Sequence, residues 1–90
     1  MNSFDWVSFG ARLRFLRLQK KMSLTSVSND LGITKSTLGS LEHGRRGASI
    51  EVIIALATFF NVSTDYLLGL SDDPTPSQHR GSVSEISKEE

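Results

Sequence analysis

Four helix starts in this chain are written in one local code, and together they leave room for little but a small helical domain. Ser23, Thr34, Ser49 and Ser63 suit the N-cap position, where a side-chain oxygen accepts hydrogen bonds from the free backbone N–H groups of the first turn. Each has an apolar residue one position before it and another four positions after it: Met22 with Val27, Ile33 with Leu38, Ala48 with Ile53, Val62 with Leu67. That is the spacing of a hydrophobic staple. Between the first two starts, Leu31-Gly32-Ile33 leaves space for a three-residue turn only, and Gly32 can take the left-handed conformation that ends a helix. A second and a third helix, near Leu24–Leu31 and Lys35–His43, must therefore cross steeply, with Ser28 as the small residue at the crossing.

The remaining elements follow from apolar spacing. Trp6, Phe9, Leu13 and Leu16 predict a first helix of about Asp5 to Lys20, capped by Asp5 or Ser3. Ile50, Ile53, Ile54, Leu56, Ala57 and Phe60 predict a fourth helix with a broad apolar face. A short fifth helix, Thr64–Leu68, stops at Gly69. From Ser71 onward two prolines, five serines and many charges leave almost nothing apolar to bury, which predicts a disordered acidic tail over residues 71–90. The domain is then residues 1–70, with the central helix pair at 23–44.

Charge bears on partners. The formal net charge of zero hides an asymmetry: residues 1–70 hold eight Lys and Arg against five Asp and Glu, and residues 71–90 hold two against five. A mildly basic body with an acidic tail is compatible with nucleic acid, whose binding depends on how many cations face phosphates and not on their sum. No apolar run approaches the roughly 20 residues that cross a bilayer, and the N-terminus lacks the features of a secretory leader. A cytoplasmic chain without membrane contact is the expectation. With no cysteine and two separated histidines there is no catalytic constellation and no metal-ligand spacing, so neither enzyme activity, metal nor cofactor is expected.

Residues from about Phe9 to Leu70 resemble the phage-repressor and Cro type of helix-turn-helix domain, also called the xenobiotic-response-element family. The resemblance rests on FGARLRFLR in the first helix, Ser28 and Gly32 in the turn, LGSLEHGRR closing the third helix, and SIEVIIALATFFNVSTDYLLGL after it. It implies a compact, all-α, five-helix lambda-repressor-like fold that binds double-stranded DNA as a twofold homodimer, with the third helix in the major groove. Carried over position by position, it places Lys35, Ser36 and Ser40 at base edges and Thr37 near the groove wall. A lysine can donate to guanine O6 and N7, and serines bond donors or acceptors with weak discrimination. Phosphate contacts are implied for Ser23, Leu24, Thr34, His43, Arg45 and Arg46. Gly39 stands inside the third helix, where close approach to DNA is the preferred reading. Arg17 and Glu42 resemble the family's buried ion pair and are assigned to structure.

Some positions depart from the family's pattern. Leu24 stands where many relatives carry glutamine, and Ala48 where many carry proline, which loosens the loop before the fourth helix. Phe15 and Leu18, with Ala11, form a second apolar stripe on the first helix; Phe59 and Tyr66 lie near the region where family members dimerise. These four large residues are the expected dimer or partner surface. The leading expectation is a sequence-specific transcriptional repressor acting on an inverted repeat. The alternative is an interaction module, an antitoxin or antirepressor-type partner, that presents apolar helix surfaces to another protein.

Overall fold

The computed structural model describes residues 4–76. Five helices make up the domain: α1 Trp6–Gln19, α2 Leu24–Leu31, α3 Lys35–Glu42, α4 Ile50–Phe60 and α5 Thr64–Leu68. All four hydroxyl caps form at the positions expected from sequence. Ser23 accepts from Ser26 N–H, Thr34 from Thr37, Ser49 from Val52 and Ser63 from Tyr66. Asp5 supplies the fifth cap, accepting from Ser8 N–H at 2.8 Å; the other candidate, Ser3, lies outside the described residues. Those bonds from the Ser8 backbone and hydroxyl hold the Asp5 carboxyl below its ordinary pKa. The staple also recurs at α1, where Phe4 and Phe9 pack edge-on with ring centroids 6.3 Å apart.

The helix ends share a code of their own. In each case a backbone N–H beyond the helix reaches five residues back: Met22 to Arg17, Ile33 to Ser28, Arg45 to Ser40, Val62 to Ala57 and Leu70 to Asp65. This closure needs one left-handed residue per helix. Glycine serves at Gly32, with φ of 74°, but Lys21 (φ 58°) and Asn61 (φ 56°) fill the same role at the ends of α1 and α4. A lysine there meets a Cβ penalty that glycine avoids. Lys21→Gly is therefore expected to stabilise the domain by about 0.5–1 kcal/mol. The measurement is a urea titration, where a midpoint below the wild-type value would contradict it.

Phe9, Leu13, Val27, Leu38, Leu41, Leu56 and Leu67 form the fully buried centre, drawn from all five helices. α1 and α3 pack most intimately, because Gly10 lets the two backbones meet: a Cβ at Gly10 would run into the carbonyl oxygens of Leu41 and Glu42. The broad α4 face narrows. Ile53, Leu56, Ala57 and Phe60 are buried, whereas Ile50 is 66% and Ile54 46% exposed. Positions i, i+3, i+4 and i+7 fill the face that meets the core, so two further isoleucines fall on its edge.

The boundary of the tail also moves. Residues 71–76 are described and held to the body: Ser63 N–H donates to the Pro74 carbonyl at 3.0 Å, and Ser71 and Asp73 side chains accept from the backbone of Asp73 and Thr75. Two prolines and short polar side chains bonding their own backbone build turns without apolar burial. The remainder of the expected tail, residues 77–90, lies outside the described residues. Among the described residues, no helix is long and apolar enough to cross a membrane.

Candidate nucleic-acid interface

α3 turns Leu38, Leu41 and Glu42 inward and leaves Lys35, Ser36 and His43 exposed, with Thr37, Gly39 and Ser40 half-exposed. A helix anchored along one side presents the opposite face to whatever lies outside. Lys35, Ser36 and Ser40 stand on that face with no side-chain hydrogen bond among the described residues. Thr34 and Thr37 are engaged: the Thr34 hydroxyl accepts from Thr37 N–H at 3.0 Å and donates to the Thr37 hydroxyl at 2.9 Å. The Thr34 hydroxyl proton is thus engaged, while that of Thr37 has no partner among the described residues. At the other end, His43 Nδ1 lies 2.8 Å from the Gly39 carbonyl. A carbonyl only accepts, so Nδ1 carries the hydrogen and Nε2 is left for an outside partner.

The α3 axis is fixed from behind. Arg17 Nε donates to Glu42 Oε2 at 2.6 Å and its Nη2 to Oε1 at 3.0 Å, a bidentate pair in which the side chains are 10% and 2% exposed. Arg17 Nη1 also donates to the Met22 carbonyl at 2.8 Å. The hydrogen bonding to Glu42 holds the guanidinium pKa above its ordinary value despite burial. One side chain thus ties the end of α1, the approach to α2 and the last turn of α3 together. Leu24 and His43 line one shallow depression beside α1, so the start of α2 and the end of α3 converge on the same side. Ser23, Arg45 and Arg46 are exposed. A Cβ at Gly39 would meet nothing within 4 Å, so the fold itself gives no reason for glycine in that helix interior, where it costs roughly 1 kcal/mol relative to alanine.

The four residues expected on a dimer or partner surface divide. Phe15 and Leu18 are 52% and 48% exposed. Phe59 and Tyr66 are partly buried against the core instead: Phe59 packs edge-on against Phe60 at 4.9 Å, and the Arg12 guanidinium sits 5.9 Å over the Tyr66 ring. On the apolar face of α4, Ile50 and Ile54 are exposed as well. The signal available in sequence was that α4 holds more apolar residues than one helical face can bury. Among the described residues, no group of three His, Cys, Asp or Glu side chains is placed to hold a metal ion.

Two short helices joined by a three-residue turn with a left-handed Gly32, capped at both starts and followed by a basic loop, make a helix-turn-helix unit. The chain belongs to the Cro/C1-type helix-turn-helix family, whose model matches residues 13–67. It is 36% identical over 75 residues to the uncharacterised HTH-type transcriptional regulator YobD of Bacillus subtilis, a match covering 83% of this chain and 67% of that protein. With the HTH-type transcriptional regulator AnsR of the same organism it shares 43% identity over 58 residues, 64% of this chain and 50% of the relative. Among solved structures, it is similar to the restriction-modification controller protein C.AhdI from Aeromonas hydrophila, with a TM-score of 0.65 and 35% identity over 69% of this chain and 94% of that one. The chain spans between half and two thirds of the length of the curated relatives it matches. The family is one of DNA-binding transcription regulators, not enzymes.

Proposed function

We propose that this protein is a sequence-specific transcriptional repressor that acts in the cytoplasm, binding an inverted-repeat operator as a twofold dimer with one α3 in each of two successive major grooves. The observation that carries the reading is the outward face of α3, where the side chains of Lys35, Ser36 and Ser40 have no hydrogen-bond partner among the described residues and the exposed Arg45 and Arg46 follow shortly after. Lys35 and the two serines read base edges; Arg45, Arg46, His43 and the N-terminal N–H groups of α2 and α3 hold phosphates. With one cation on the reading face, specificity depends on dimer symmetry and DNA shape as well as on direct contacts. That one relative is named as a phage transcriptional repressor supports the repressor sense.

Selection of bound sequences from random duplex DNA tests the reading, and a recovered inverted repeat is the expected result. On that repeat Lys35→Ala should cost about 1–3 kcal/mol and relax preference at one base pair per half-site. Equal binding of wild type and Lys35→Ala to every duplex would sink the base-reading role. The exposure of Phe15 and Leu18 favours a second reading, a module that docks another protein through α1; failure to enrich any duplex would promote it.

A further inference from the structure

The basic loop between α3 and α4 has little of its own to hold it. Arg46, Gly47 and Ala48 take part in no backbone–backbone hydrogen bond among the described residues, and Arg45, Arg46 and Gly47 are exposed. A loop of that kind opens easily, and two mobile arginines would lose conformational freedom on meeting phosphates, which weakens binding. Two residues of the first turn of α1 pack on it, Val7 against Gly44 where the loop leaves α3 and Trp6 against Gly47 beyond the arginines, while Ala48 leans on the core. The indole of Trp6 lies against Gly47 so closely that a Cβ there would come within 2.7 Å of Trp6 Cε2, 2.8 Å of Cζ2 and 3.0 Å of Nε1. The indole is itself held by aromatic neighbours: Phe4 edge-on at 4.7 Å and the fully buried Phe9 at 5.1 Å. Rigid aromatic packing thus runs from the core, through Trp6, to the loop.

We infer that Trp6 is a positioning residue for DNA binding: seated on Gly47, it fixes the loop so that Arg45 and Arg46 present their guanidinium groups to DNA phosphates. Trp6 touches no DNA itself. The inference rests on the proposed phosphate role of Arg45 and Arg46. It gives the first turn of α1, far away in sequence, control over the electrostatic part of affinity. Residue 47 must stay glycine for the indole to keep its seat. Trp6 is also the chain's only tryptophan, so its fluorescence reports the loop directly.

The test is the slope of log affinity against log salt for a duplex recovered by selection, measured for variants shown by circular dichroism to be folded. Each neutralised phosphate contributes about 0.9 to that slope on duplex DNA. Trp6→Ala is expected to flatten the slope by about 1 for each phosphate that a subunit ceases to neutralise, as Arg45→Ala/Arg46→Ala does. Adding Trp6→Ala to the double arginine variant should flatten it no further, because both changes act on the same phosphates. Trp6→Phe should restore most of the wild-type slope. Gly47→Ala, which leaves the core intact, should flatten the slope and shift the Trp6 emission, and it decides the matter if Trp6→Ala fails to fold. Folded variants with the wild-type slope overturn the inference while the DNA-binding reading stands. If the double arginine variant itself keeps the wild-type slope, or no duplex is recovered, the underlying reading fails and the positioning role falls with it.

Discussion

Arg17→Ala and Glu42→Ala are each expected to cost about 3–5 kcal/mol, because either one strands a buried charge whose one ionic partner among the described residues has gone. The pair is bidentate and nearly closed to water, so the surviving group regains little hydration. Arg17→Ala also leaves the Met22 carbonyl without its donor and frees the approach to α2. A loss of that size is a large part of the 5–15 kcal/mol typical of a small domain, and corresponds to a fall in Tm of roughly 15–30 °C. Replacing both partners together, as Arg17→Met/Glu42→Leu, should be far milder than the sum of the single changes, since no charge is left unpaired. Thermal melts of the four proteins decide this. Single variants that melt within a few degrees of wild type yet lose DNA binding would move the pair from scaffold to interface.

The contrast between helix starts and helix ends explains how much of this fold was legible in sequence. A start is announced by chemistry within six residues, a hydroxyl between two apolar positions, and all four such starts hold. Ends are announced only where glycine fills the left-handed position. Lys21 and Asn61 do the same job with a Cβ attached, and nothing local marks them. Apolar spacing likewise says which residues share a helical face but not how wide the face is that the neighbours cover. Ile50 and Ile54 thus belong to the apolar face of α4 yet stay exposed, and Phe59 and Tyr66 lie partly against the core. Within the candidate interface, Lys35, Ser36 and Ser40 were legible because α3 is bounded by clear signals on both sides. The seating of Trp6 on Gly47 was not: the two positions are far apart in the chain, and neither residue carries a local sign of the other. Short hydrogen-bonded turns at 71–76 were hidden for a different reason, since composition registers missing apolar surface and is blind to backbone bonding.

Ile50 and Ile54 lead to the second large effect. They stand one turn apart on α4, exposed in a single chain, and a twofold contact would bring four of them together, each patch facing its copy. Full burial of an isoleucine contributes about 1.5–3 kcal/mol, so a charge placed among them opposes association strongly. If the proposed dimer forms through this edge, wild type sediments as a dimer and Ile54→Asp as a monomer at the same concentration. Its own fold should lose about 1–2 kcal/mol, since Ile54 is 46% exposed and aspartate is a poorer helix former. On an inverted repeat the drop in affinity is larger than any single side chain explains. Two linked reading helices share one binding event, and uncoupling them forfeits roughly 10²–10⁴ in affinity. Affinity for an isolated half-site should stay close to wild type, which separates uncoupled subunits from a damaged α3. Phe15→Asp is the companion experiment on the other exposed stripe. If Phe15→Asp yields the monomer and Ile54→Asp remains a dimer, the proposed twofold contact runs through α1 and not through the edge of α4.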